Sequence, residues 1–512
     1  MLKRLFGQDI HQKVHLFAFS AMGMGLILSK VILSLSLMLA LLNLLLEADF
    51  KQYGKNIQSN RISWGLFAFF GLHLIALIWT ENLAWAFDDL RVKLPLLLVP
   101  LVLAAQPIPR SKWKYVLWPF VVVVLLTSLI NFVVFQFNYH AISSDDIRSL
   151  CLFGSHIRYA LLVVMAIVIL VKESPFLTFR NMKVVIALSL IWLMFYTFYS
   201  QVISGITALV IVSSYFLAQL IWKKSKRIFV LVISFFTGAL IAFAFYLFTP
   251  PKRIPIDFNQ LPKYTAKGNT YNHDLNPIFI IRGNPFYINV CEKEITEEWE
   301  SHSRLTIMDL DAKGQRVKIT LLRYLDAAGF TKDAAGMSRL KEEDYRAIEL
   351  GFTEPKTQQY SFLNRLEELR FEIHDHLDPN GHSLLQRIEY WKTAIHLIQH
   401  NWLIGVGTGD LDDVFQTQYE KENSVLWQEN RHRAHNMYLT VWITFGIFGL
   451  MLFLGLLFQF IRSNFQHGMA IGFILISMSS FLMEDTLETQ VGITFFAFFF
   501  ALFSSWSASK TS

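Results

Sequence analysis

The sequence predicts an all-α polytopic membrane protein of about twelve transmembrane helices, with a large outer loop domain between the ninth and tenth spans. Three observations predict it. The 512 residues are 53% hydrophobic and only 17% charged, where soluble chains carry nearer a quarter charged residues. The mean hydropathy is +0.38. Lys and Arg gather in short stretches between apolar runs, so the net charge of +6 reads as membrane orientation signals rather than a nucleic-acid footprint. Phe occurs 46 times, which suits lipid-facing helices.

A span needs about twenty apolar residues. Candidates in an N-terminal membrane domain (1–248) are 14–29, 31–47, 63–80, 94–105 with flanks, 113–136, 157–172, 182–200, 203–222 and 228–248. The run 14–47 is too long for one span and divides at Ser29 and Lys30. Its start lacks a small-residue cleavage site and reads as a retained span. A C-terminal membrane domain (435–512) supplies 436–461, 468–484 and 490–507.

Charge sets the orientation. With Lys3, Arg4 and Lys13 cytoplasmic, the same side carries Lys51, Lys55 and Arg61, then Arg110, Lys112 and Lys114. Lys172, Arg180 and Lys183 follow there, then Lys223, Lys224, Lys226 and Arg227. Opposite loops are short or acidic, with Glu81, Asp88, Asp89, Asp145 and Asp146. Both termini are then cytoplasmic, and the loop 249–434 lies outside, in the periplasm of a Gram-negative cell.

That loop is long enough to hold structure of its own. TPPKRIPIDFNQLP opens it as an extended, proline-rich stretch. PFYINV and RLTIMDL alternate like short strands, DAKGQ reads as a turn, and segments near 317–328, 338–350 and 361–377 look helical. After Pro379, Asn380 and Gly381, Ser383 can cap a helix over about 384–400. Its Leu384, Ile388, Trp391, Ile395 and Ile398 form one apolar face suited to lying on a membrane surface.

Candidate chemistry clusters at the outer interface. Arg387 lies at the edge of that apolar face, where a guanidinium can reach a phosphate at headgroup level or snorkel to ordinary lipid. His435 follows Arg431, His432 and Arg433 and directly precedes a span. An imidazole there can take a proton near neutral pH, or simply sit at the interface. Asn436 and Tyr438 can orient it, contact the acceptor, or be merely interfacial. Arg158, beside His156 at the start of a span, is a second candidate phosphate contact, because a cation at that depth is costly without a partner. Glu484, Asp485 and Glu488 can orient these cations or bind an acceptor, or be plain outer-loop charges.

Other signals are weaker. Gly405, Gly407 and Gly409 lack nucleotide-loop spacing and read as a turn, whose amides have at most a minor claim on a phosphate oxygen. Asp309 and Asp311 form a DxD that reads as a solvated turn. His374, Asp375 and His376 do not converge on a helix, so no metal site is assigned. Two cysteines, Cys151 and Cys291, are too few for a disulfide framework; whether they pair stays open.

The chain resembles the O-antigen ligase and polymerase superfamily of polytopic bacterial membrane glycosyltransferases. The resemblance rests on the RxxxWxxA helix (Arg387, Trp391, Ala394), the NxxxGVGxG turn (Asn401, Gly405, Gly407, Gly409) and the AHNxYL entrance (Ala434 to Leu439). The early IWTENLAWAFDDLRVKLPLLLVPL and the outer loop between late spans add to it. It covers the whole chain except about 255–375, which looks like an insertion. It implies transfer of a glycan from an undecaprenyl diphosphate carrier to an acceptor hydroxyl, on lipid A-core or a growing glycan, at the periplasmic face of the inner membrane. The implied enzyme inverts configuration and uses no metal or other cofactor. By position, the resemblance makes Arg387 the diphosphate contact and His435 the essential histidine, placed to activate the acceptor hydroxyl or contact the phosphate; Arg433 is a further candidate diphosphate contact. One departure is SQVISGITAL, where Gly205 follows Ser204 in place of the family's frequent arginine; Arg158 is the candidate to supply that charge.

Two other classes compete. A transporter for lipid-linked sugars predicts charges at span centres and broken helices, whereas the charges here lie mostly at span ends. A sensor predicts that Arg387 and His435 are dispensable for glycan transfer.

Overall fold

The computed structural model describes residues 8–138, 151–173, 180–250, 260–273, 280–281, 284–285, 287–312, 314–355, 370, 373–374, 379–381 and 383–511, mostly as helix. They fall into two compact units. One is Met1–Asn131, Cys151–Lys224 and Gln386–Ser512; the other is Phe132–Leu150 and Ser225–Leu385.

The first unit opens with α1 (Gln8–Leu28) and α2 (Lys30–Glu47). They separate at Ser29, whose side chain accepts a bond from the Val31 N–H, so one capping serine divides the long apolar run. Next come α3 (Phe50–Ser59), α4 (Arg61–Ile75), α5 (Leu83–Lys93) and α6 (Pro95–Ala105). Pro95 has no N–H to return to α5 and starts a new helix. The span expected at 94–105 is therefore an 11-residue helix, about half a bilayer core at 1.5 Å per residue. Then follow α7 (Lys114–Asn138), α8 (His156–Glu173), α9 (Arg180–Tyr199) and α10 (Ile203–Lys224).

The second unit holds α11 (Lys226–Phe248), α12 (Glu292–His302), α13 (Val317–Ala328), α14 (Ala334–Met337) and α15 (Glu342–Glu349). Its core is Ile295, Trp299, Leu321, Leu325 and Ile348. The helix expected at 317–328 is α13; α12, hidden in acidic EKEITEEWESH, buries Ile295 and Trp299 one turn apart. Strand content is smaller than expected. Ile280–Ile281 pairs with Asn284–Pro285, Val290 bridges Asn272 and Lys332, and RLTIMDL forms an isolated bridge at Leu310 with Arg316. Backbone turns take its place there: Asp309 accepts the Thr306 N–H, and Asp311 accepts the Gln315 N–H and the Thr320 hydroxyl. Asp311 is buried whereas Asp309 is exposed, so the DxD turn is solvated at its first aspartate only. The helix expected at 361–377 lies outside the described residues except 370 and 373–374, as do Asp375 and His376 of the second metal-capable cluster; His374 bonds the Leu247 carbonyl.

The first unit resumes with α16 (Ser383–Asn401), α17 (Leu411–Lys421), α18 (Met437–Asn464), α19 (Gly468–Phe481) and α20 (Gln490–Thr511). Where about twelve spans were expected, six among the described residues are long and apolar enough to cross a membrane: Lys30–Glu47, Arg61–Ile78, Arg110–Gln136, Asn181–Tyr199, Ile203–Lys224 and Met437–Asn464. The expectation that Phe faces lipid is corrected along α20, where Phe496, Phe498, Phe499, Phe500 and Phe503 are fully buried. They pack against Phe19, Phe120, Phe460 and Phe473 at centroid separations of 6.2, 5.6, 4.3 and 5.8 Å. Lipid is as apolar as any side chain, so ring packing rather than hydropathy selects this face. Cys151 and Cys291 are free thiols.

Candidate active site

α16 supplies the first wall. Its buried face is Tyr390, Ala394, Leu397 and Ile398, packed on Leu411, Phe415 and Tyr419 of α17 and on Ile443 of α18. The expected apolar stripe is thus only partly outward: Ile388 and Ile395 are exposed, whereas Ile398 is buried and Trp391 partly so. Side-chain donors draw the face inward. Tyr390 donates to the Asn430 carbonyl and Trp391 to the Ala434 carbonyl, at 2.9 and 3.0 Å.

The GVGTG turn after α16 repairs a broken helix. α18 is interrupted at Gly446 (φ 67°, ψ −167°), which frees backbone groups that a buried site must satisfy. Val406 N–H donates to the Ile443 carbonyl, Gly407 N–H to the Thr444 carbonyl, and Ile447 N–H to the Trp402 carbonyl. A Cβ at Gly405 would meet Thr444 O at 2.4 Å, and one at Gly446 would meet Leu403 O at 2.1 Å. The glycines permit this close approach, and the amides of Val406 and Gly407 are committed to it.

The RHRAH segment is then gripped from both sides. Gln416 and Tyr419 of α17 donate to the carbonyls of Arg431 and His432. The Asp485 carboxylate accepts the His435 N–H at 3.0 Å, the Asn436 N–H at 3.1 Å and the Thr440 hydroxyl at 2.6 Å. Burial pushes the Asp485 carboxyl up, and these contacts offset it only in part. So held, His435 adopts φ 46°, a left-handed conformation that non-glycine residues rarely take. Asn436 caps α18 by accepting from the N–H groups of Tyr438 and Leu439. Tyr438 packs among Phe453 and Phe481.

Glu484 joins the two principal candidates. Its Oε1 lies 3.0 Å from Arg387 Nη2 and its Oε2 lies 3.6 Å from His435 Nδ1, an ion-pair separation longer than a hydrogen bond. Burial works to raise its pKa, but His435 and Arg387 outweigh it and hold the carboxyl below its ordinary value. Arg158, in the first turn of α8, is half-buried within the field of Glu484. Among the described residues no carboxylate lies within ion-pair distance of Arg158. Gly205 sits where α10 meets α8: a Cβ there would lie 2.6 Å from that of Ala160, so a side chain larger than glycine has no room at that position.

Arg433 is placed differently. Its guanidinium pairs two-pronged with Asp412, and Nη1 lies 2.9 Å from Glu488. Glu488 also takes Lys93, at 2.9 Å, and Lys93 reaches Asp89 at 2.6 Å. Lys93, Asp89 and Glu488 are nearly closed from solvent. Burial opposes the charge of Arg433, yet Asp412 and Glu488 outweigh it and keep the guanidinium firmly cationic. Sequence reasoning missed Lys93, Asp89 and Asp412 in this network. The available signal was Lys93 itself, a cation on the acidic side of the charge tally.

Residues 335–454 match the O-Antigen ligase family, which supports membership of the O-antigen ligase superfamily. The matched stretch carries Arg387, the GVGTG turn, Arg433 and His435. No curated protein matches the chain.

Proposed function

We propose, taking the chain as a member of the O-antigen ligase superfamily, that it transfers a glycan from an undecaprenyl diphosphate carrier to a hydroxyl of lipid A-core. The transfer is direct, with inversion and without a metal, at the periplasmic face of the inner membrane. The carrying observation is the meeting of Arg387 and His435 on one carboxylate, Glu484, at the outer mouth of α18. Loop charge asymmetry supports the orientation, with both termini cytoplasmic.

Each residue then has a task. Arg387 and Arg158 neutralise the diphosphate leaving group as the sugar departs; preorganised guanidiniums stabilise such developing charge. His435 removes the acceptor's proton from the opposite side of the anomeric carbon. Asp485 and Asn436 fix the backbone that presents the imidazole. Arg433, already committed to Asp412 and Glu488, holds the same segment and acts by position. The carrier's phosphoester bond drives transfer, so no nucleotide is required.

The test is transfer by purified protein in detergent from an undecaprenyl diphosphate glycan, with lipid A-core and glycan acceptors side by side, EDTA present, and His435→Ala as control. Modification of lipid A-core that the variant loses supports the ligase. Chain extension instead makes the protein a polymerase. Transfer to neither acceptor overturns the reading.

A further inference from the structure

Glu484 sits where a substrate anion belongs. Around it are Arg387 at 3.0 Å, His435 at 3.6 Å and Arg158 within its field. The other nearby carboxylate, Asp485, is occupied by two backbone N–H groups and the Thr440 hydroxyl. Among the described residues, one available carboxylate therefore faces the Arg387 guanidinium and the His435 imidazole, with Arg158 within its field.

A second observation concerns the histidine. His435 Nδ1 is closed from solvent and has no hydrogen-bond partner, although buried polar atoms are nearly always satisfied. The Glu484 oxygen facing it stops at 3.6 Å while its other oxygen is held on Arg387 at 3.0 Å. The carboxylate is pulled to the arginine and falls short of the imidazole.

We propose that Glu484 is a built-in counterion that the donor's diphosphate displaces from Arg387, and that the released carboxylate then closes on Nδ1 of His435. This rests on the reading above for the identity of the anion. A phosphate offers a guanidinium the same two-pronged geometry as a carboxylate and more negative charge. A carboxylate bonded at one ring nitrogen of an imidazole fixes the tautomer and strengthens the other nitrogen as a base. Donor binding thereby arms His435, and the base is weaker while the site is empty. Glu484 acts through its neighbours and is a positioning residue.

Glu484→Gln gives opposite effects on binding and turnover. Gln cannot compete as an anion, so the full-length variant in detergent is expected to bind inorganic pyrophosphate roughly five- to tenfold more tightly than the wild type. Glycan transfer should lose about 10- to 100-fold in kcat, the usual cost of removing a group that orients an imidazole, while KM for the donor falls. A purely structural role would weaken binding and turnover together. Unchanged or weaker pyrophosphate binding overturns the proposal, as does an unchanged kcat. Should the variant fail to fold, ¹⁵N-histidine NMR of the wild type reads the same step. Pyrophosphate should shift His435 toward the tautomer protonated at Nδ1, and no change overturns the exchange. Pyrophosphate binding needs no glycan transfer, so failure of the wild type to transfer would sink the ligase reading and leave the exchange standing on its own arms.

Discussion

Asp485→Asn separates the placement of His435 from its chemistry. The carboxylate accepts three bonds, from the N–H groups of His435 and Asn436 and from Thr440. In asparagine one oxygen becomes an amide NH₂, and in either orientation that donor faces a backbone donor. A hydrogen bond to a charged group contributes about 1.5–3 kcal/mol. A non-glycine residue at positive φ, as His435 is at 46°, costs about 1–3 kcal/mol. The two are the same size, so losing one clamp bond leaves little to hold the histidine in its left-handed conformation. A ring displaced by about 1 Å costs on the order of 10²-fold in rate. Steady-state glycan transfer in detergent is therefore expected to show kcat reduced about 10²-fold. KM for the donor should change little, because the Arg387 contacts are untouched. Wild-type kcat in a folded variant, or an effect confined to KM, would refute the clamp.

Three further outcomes follow from the same geometry. Glu488→Gln leaves buried Lys93 and Arg433 short of one negative charge, and breaking such a pair typically costs about 3–5 kcal/mol; a thermal midpoint in detergent equal to the wild type's would contradict the network. Gly446→Ala places a methyl against the Leu403 carbonyl and should break the three bonds joining the turn to α18, at about 1 kcal/mol each. Limited proteolysis between Trp402 and Gly409 should accelerate, and an unchanged pattern would show that the turn does not depend on the break. The pH dependence of stability is signed by Glu484, whose folded value lies below its ordinary one: burial opposes this, but His435 and Arg387 outweigh it. Its contribution is complete above the ordinary carboxylate range and is lost as pH falls through the lowered folded value. The difference in thermal midpoint between wild type and Glu484→Gln should accordingly shrink on acidification, and a pH-independent difference would contradict the assignment.

What the sequence determined by itself is what local composition controls. Apolar runs of span length became helices, Ser29 divided the first run, and 317–328 formed a helix, because hydropathy, capping and periodicity act over a few residues. Arg387 and His435 stood out by residue type and by their place at the edges of apolar segments. Tertiary structure alone decided the partners. Glu488 and Lys93 lie 395 residues apart, and no local pattern announces that they meet. The direction of the phenylalanines on α20 was equally hidden, since a fully apolar helix has no polar face to mark its outside. The GVGTG turn read as a connector, and only the break at Gly446 explains its glycines: two backbones must approach closely enough to exchange hydrogen bonds. The commitment of Arg433 to Asp412 and Glu488, and the sharing of Glu484 between Arg387 and His435, likewise arise from packing. Charge pairing depends on distances of a few ångströms, which the chain acquires only when its distant segments are brought together.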